Sequence, residues 1–196
     1  MANDDFARGL IPLNTNGKGT VNSHYYQAST ITDIAIGMLV AMTQGRVSRA
    51  PVAGMAPVIG VALGFARGKG PSNELAPWLD VSGLTSDDWY VQVADDPEQE
   101  FFIQEDTGGT ALTGTAAGEY SATMVFQTTS IDTVSGLLRA ELDASSAAAD
   151  TAGKLHILRL HDYVNSDGTQ NAVGDYAKWV VTILHHQKRG GTVLIS

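Results

Sequence analysis

Short apolar runs separated by glycine-bearing turns dominate the chain from Thr30 onward. In "GMLVAM" the residues Met38, Val40 and Met42 take alternate positions, the period of two that lines one face of a strand. "QGRV" (Gln44 to Val47) predicts a turn and "VIGVALGFA" a returning strand. A helix over that last run would carry two glycines, each costing roughly 1 kcal/mol against alanine. "DWYVQVA" alternates Trp89, Val91 and Val93 with Tyr90, Gln92 and Ala94, and "FFIQED" resumes the pattern from Phe101. Between them lies "DDPEQE", where Pro97 cannot donate to a ladder and Asp-Pro favours a turn. The expectation is a corner where Asp95, Asp96, Glu98 and Glu100 meet solvent.

Further on, "EYSATMVFQTTS" predicts one long strand with Tyr120, Ala122, Met124 and Phe126 on a shared face. "ELDASSAAADTAG" is Ala-rich and predicts one short helix, and "KLHILRL" and "AKWVVTILHH" predict two more strands around an Asn/Asp/Gly-rich exposed loop. The stretch Lys69 to Asp88 reads as loop, with Trp78 and Leu79 plugging a small gap. Together these predict an all-β protein with a barrel- or sandwich-like core from about residue 30 and at most one or two short helices. It is divisible into sub-modules at 30–68 and 85–196.

Residues 1–29 have a different texture. "LNTNGKGTVNS" is polar and rich in Gly and Asn, with no hydrophobic period. Phe6, Leu10, Ile11 and Leu13 are spaced apolar residues on this segment, and Tyr25 and Tyr26 follow. The expectation is an extended N-terminal arm that orders against a partner, with these six residues as its contacts. The rival is a tail with incidental apolar residues.

Composition narrows the function classes. Of 196 residues 43% are hydrophobic, enough for a core, and 21 are glycine, which suits many turns between short strands. The absence of cysteine excludes disulfides, Cys-ligated zinc and thiol nucleophiles. A formal charge of −9, with the basic residues scattered singly or in pairs such as Lys188-Arg189, argues against nucleic acid as the main partner. "MANDDFARGL" does not read as a secretory signal, and the nearly apolar Ala56 to Ala66 is too short for a membrane helix. No membrane is expected.

Candidate chemistry is thin. Asp95, Asp96, Glu98 and Glu100 lack the regular spacing of a calcium loop, and nothing along the chain signals the burial that would split two carboxylates into an acid and a base. His185 and His186 fall on opposite faces of a strand, as do His156 and His161, so neither pair chelates locally. "NGKGT" lacks the Ser or Thr that should follow Lys18 in a phosphate loop, and no Gly-x-Ser-x-Gly elbow occurs. The chain is expected to be no enzyme and to need no cofactor or metal.

Three segments resemble decoration (cement) proteins of tailed bacteriophage capsids and related virion structural proteins. They are "IAIGMLVAMTQGRVSRAPVAGMAPVIGVALGFA" (Ile34 to Ala66), "YVQVADDPEQEFFIQED" (Tyr90 to Asp106) and "LHILRLHDYVNSDGTQNAVGDYAKWVVTILHH" (Leu155 to His186). The resemblance implies a β-rich module, often a homotrimer, made in the host cytoplasm and bound to the capsid exterior, where it cements neighbouring major capsid subunits. An N-terminal arm lying on the shell would give Phe6, Leu10, Ile11 and Leu13 a role. A rival within the virion is a tail, fibre or head-completion protein. A rival of another class is a calcium-binding, carbohydrate-active β-sandwich built on the 95–106 corner.

Overall fold

The computed structural model describes residues 3, 8–13, 21–29, 34–51, 55–67, 78–79, 89–106, 112, 117–126, 140–149 and 152–189. The described part is all-β, with two five-stranded antiparallel sheets as its frame. Its helices are 3-10 turns at Ala144–Ser146 and Gln187–Arg189, and none is long and apolar enough to cross a membrane.

The first sheet combines β2 (Ser23–Gln27), β4 (Leu39–Thr43), β5 (Arg46–Arg49), β6 (Gly60–Arg67) and β8 (Trp89–Ala94) in the order β2-β8-β6-β4-β5. The turn between β4 and β5 is Gln44-Gly45, both at positive φ (53° and 78°), the backbone that two-residue hairpins favour. The sheet curls until its outer strands meet: Ala28 bridges Val47, and the Ser29 amide donates to the Val47 carbonyl at 2.7 Å. A small barrel results. Its interior holds Ala28, Ile34, Val40, Val47, Ile59, Ala62, Phe65, Val91 and Val93, with Tyr26, Met42 and Trp89 packed against them. Here the expected alternation is realised, Val91 and Val93 pointing inward and Tyr90 and Gln92 outward. Closure protects the strand edges that an open five-stranded sheet would expose. A short ladder of β3 (Ile34–Ala35) with β7 (Trp78–Leu79) adjoins the barrel.

The second sheet runs β1-β9-β14-β13-β10, from β1 (Ile11–Pro12), β9 (Glu100–Gln104), β10 (Ser121–Ala122), β13 (Leu155–Leu160) and β14 (Lys178–Ile183). Its inner face presents Phe101, Ile103, Trp179, Val181, Ile183, Leu155 and Ile157. Leu39, Val58, Val61 and Ala94 from the barrel's outer wall meet them in one core, so β6 and the first residues of β4 are buried on both faces. That double burial explains why "VIGVALGFA" is a continuous apolar run rather than an alternating one.

"EYSATMVFQTTS" departs from expectation. It splits at Thr123 into β10, in the second sheet, and β11 (Met124–Phe126), which pairs with β12 (Ala140–Leu142). Ser121 and Ala122 are both fully buried, so the two faces of β10 are covered and one strand-long polar face does not exist. The Ala-rich segment holds its expected short helix as the 3-10 turn, capped by Asp143, while its first residues are strand β12.

The N-terminal segment also differs from an arm set apart from the core. Leu10 is 1% exposed in the central core, Ile11 and Pro12 pair with Phe102 and Phe101, and all five residues of β2 pair with β8. Pro12 is tolerated because β1 is an edge strand. Asn3 is anchored by its side chain, its Nδ2 donating to the Ala172 and Asp175 carbonyls (2.8 and 3.0 Å) and its Oδ1 accepting from the Ala172 amide (3.0 Å). Gly9 crosses Gly37 so closely that a Cβ on Gly37 would stand 2.5 Å from the Arg8 carbonyl oxygen. Segments expected to order only on a partner are thus ordered by this chain's own two sheets.

Candidate functional site: a charged clamp at the barrel rim

β8 ends at Ala94, and period two points the next side chain, Asp95, along the same inward face as Val91 and Val93. It therefore sits at the rim of the barrel, 1% exposed. A buried carboxylate needs partners, and Asp95 has three. His24 Nδ1 bonds both its oxygens (2.8 and 3.0 Å), the Tyr26 hydroxyl donates to Oδ2, and Lys188 Nζ reaches Oδ2 at 2.5 Å. Burial works against the charge, but the hydrogen bonds from Lys188, Tyr26 and His24 outweigh it and hold the carboxyl below the usual aspartate range. Burial, with the bond to Asp95 adding to it, pushes the Tyr26 phenol up; Lys188 is raised despite burial because its ammonium faces the carboxylate.

The cations come from the far end of the chain. After β14 the backbone bends, Val58 bridges His186, and the turn Gln187–Arg189 lies across the rim. The Gln187 side chain pairs with the Met42 backbone in both directions, Nε2 to the carbonyl at 3.2 Å and Oε1 from the amide at 3.3 Å. Arg189 donates to the Ile183 carbonyl (3.2 Å), to the Pro97 carbonyl and to Glu98 Oε1 (3.1 Å). β4 and the end of β14, and β2 through Asp95, are thereby tied together with the 95–98 corner to one turn. This is a mechanical clamp between barrel and second sheet.

The acidic corner is therefore less solvated than expected. Asp95 is sealed, Gln99 is 4% exposed, and Glu105 is fully buried, whereas Glu98 remains open to solvent. The remaining carboxylates point to separate partners. Asp96 accepts from the Asn22 side chain (2.9 Å) and the Glu98 amide (2.9 Å), and Glu100 pairs with Arg159 at 2.8 Å. Among the described residues no group of three or more His, Asp or Glu is placed to hold a metal ion. A groove of about 450 Å³ on the second sheet's outer face is lined by Glu98, Glu100, His156, Leu158, Thr182 and Arg189. Both of its carboxylates are taken up by arginines.

A second buried acid lies inside the core. Glu105 accepts from Trp179 Nε1 and from the Leu112 amide, both at 2.7 Å, linking the end of β9 to the start of β14. Burial raises its carboxyl above the ordinary glutamate range although both donors oppose this. Lys154 is also fully buried, its Nζ on the Ala56 carbonyl at 2.5 Å and its basicity lowered by desolvation.

The expected arm contacts are dispersed. Phe6 lies outside the described residues. Leu10 is core, Ile11 and Leu13 line the half-buried edge beside β9, and the Leu13 amide donates to the Glu100 carbonyl at 2.9 Å. Tyr25 is exposed and Tyr26 belongs to the clamp. The clamp residues not expected at a site are His24, Gln187, Lys188 and Arg189, which carry no local motif. The signal that could have found Lys188 was a basic pair beside the last apolar strand and a lone acidic corner near the middle of the chain. The chain matches no protein-family model, no curated protein and no solved structure.

Proposed function

We propose that this chain is a non-enzymatic virion structural protein that binds the outer surface of an icosahedral phage capsid and cements neighbouring major capsid subunits. The observation that carries the reading is where the three resembling segments fall. Ile34–Ala66 supplies β3 and the barrel strands β4 to β6, Tyr90–Asp106 the strand-corner-strand linking the sheets, and Leu155–His186 the middle of the second sheet. The likeness is thus to a structural frame rather than to a reactive centre. The buried carboxyl groups of Asp95 and Glu105 are spent on holding that frame, which suits a protein that must resist force without moving. Trimerisation would multiply weak contacts into firm attachment by avidity.

The test is to locate and count the chain on purified particles by cryo-electron microscopy and quantitative mass spectrometry. Many copies spread over the capsid faces are expected. A few copies at a tail or portal vertex would favour the tail or head-completion reading. No association with shells in co-sedimentation would remove the proposal.

A further inference from the structure

His186 is the hinge of the clamp, and its geometry commits it to the neutral state. The ring is 3% exposed. Its Nδ1 accepts the Lys188 backbone N–H at 3.1 Å, so that nitrogen cannot also carry a proton. Its Nε2, the nitrogen left to bear the hydrogen, is sealed from solvent without a hydrogen-bond partner. The backbone on either side is fixed to the barrel, the Val58 amide donating to the His185 carbonyl (2.9 Å) and the Gln187 amide to the Val58 carbonyl (2.8 Å).

The geometry points to an acid-released latch: protonation of His186 sets N–H against N–H at Lys188 and frees the 186–189 turn from the barrel rim. The charged neighbours decide the direction. Lys188 and Arg189 stand on the same turn and His185 precedes it. Asp95 and Glu98 face it from the corner, with His24 and Tyr26 behind Asp95 on β2. From the other side comes the Ile59 carbonyl, which favours a proton on the ring although Nε2 completes no hydrogen bond. Asp95 would welcome a cation, but Lys188, Tyr26 and His24 already occupy it.

Burial first, then Arg189 and Lys188, hold the His186 imidazole below the usual histidine range, with Asp95 and Ile59 opposing less strongly. A histidine whose folded value is depressed stabilises the fold fully above its unfolded value of about 6.5, and that stability is lost as pH falls from there through the folded value. Release therefore belongs to mild acid, where Asp95, itself depressed, is still ionised. The inference concerns the fold and is independent of capsid binding.

The experiment is residue-resolved amide hydrogen exchange on the full chain at about pH 7.5 and about pH 5, corrected for intrinsic rates, on wild type and His186→Asn. Asparagine Oδ1 can accept the Lys188 N–H and does not titrate. Expected is a severalfold loss of protection in acid at Val58, Gln187 and Arg189, with β14 unchanged, and no such loss in His186→Asn. Equal protection at both pH values, the same loss in the variant, or loss spread through β14 would each overturn the latch. Should His186→Asn fail to fold, ring ¹⁵N shifts of wild-type His186 decide. Their midpoint must coincide with that of the Gln187 and Arg189 amide shifts, and separate midpoints defeat the idea.

Discussion

Lys188 and Asp95, 93 positions apart in sequence, meet at 2.5 Å on the rim of the barrel. The contact joins the last described turn to the corner between the two sheets, and through Asp95 it reaches His24 and Tyr26 on β2. The same turn reaches farther still through Gln187 and Met42, 145 positions apart.

Asp95→Asn is expected to lower unfolding free energy by about 2–3 kcal/mol in urea titrations, below the range for fully buried pairs because Lys188 stays partly hydrated. The sign with pH follows from the depressed carboxyl. Wild type keeps this stability above the ordinary aspartate value of about 3.9 and loses it as pH falls through the lower folded value. The variant should lack that acid limb. An unchanged midpoint would mean that the clamp contributes nothing.

Glu105 acts in the opposite sense. Its folded carboxyl is raised, so the folded state holds the proton more tightly and stability declines as pH rises from the ordinary glutamate value through the folded one. Glu105→Gln should flatten this decline, measured as melting temperature against pH. It should also cost about 1–3 kcal/mol near neutrality, because Trp179 and Leu112 donate to different carboxylate oxygens and one of them would face the amide NH2 instead.

Leu10→Ala tests whether the start of the chain belongs to the core. At 1% exposure it should cost about 2–4 kcal/mol and lower the whole cooperative transition. Removing residues 1–13 should do more, since Asn3 and β1 go with it. A truncated chain as stable as the original would restore the picture of a detachable arm.

Gly37→Ala and Gly45→Ala separate strain from collision. Both glycines have positive φ (83° and 78°), but an added Cβ meets the Arg8 carbonyl oxygen at 2.5 Å in the first case and nothing within 4 Å in the second. Gly45→Ala should cost about 1–2 kcal/mol from backbone conformation. Gly37→Ala should cost clearly more and lose Leu10 amide protection, because the Leu10 amide bonds the Gly37 carbonyl. Equal costs would show that the N-terminal crossing is loose.

Period-two patterning and turn chemistry were enough to announce an all-β chain, with β4, β6, β8, β9, β13 and β14 near their observed places and Pro97 at a corner. These features are local, since a strand's faces and a turn's φ angles depend on neighbouring residues alone. Local pattern failed where burial came from both sides. Ser121 and Ala122 read as one alternating strand with Met124, yet the chain changes sheets at Thr123 because each half is covered by a different partner. Leu10 looked like a loose anchor because a single apolar residue beside a polar, Gly/Asn-rich stretch has no period to betray a core position. Closure of the barrel at Ala28 and Val47, the sealing of Asp95, and the arrival of Lys188 to neutralise it were decided only by the tertiary structure. Coulomb and hydrogen-bond partners are chosen by distance in space, and sequence order places no limit on which residues that distance brings together.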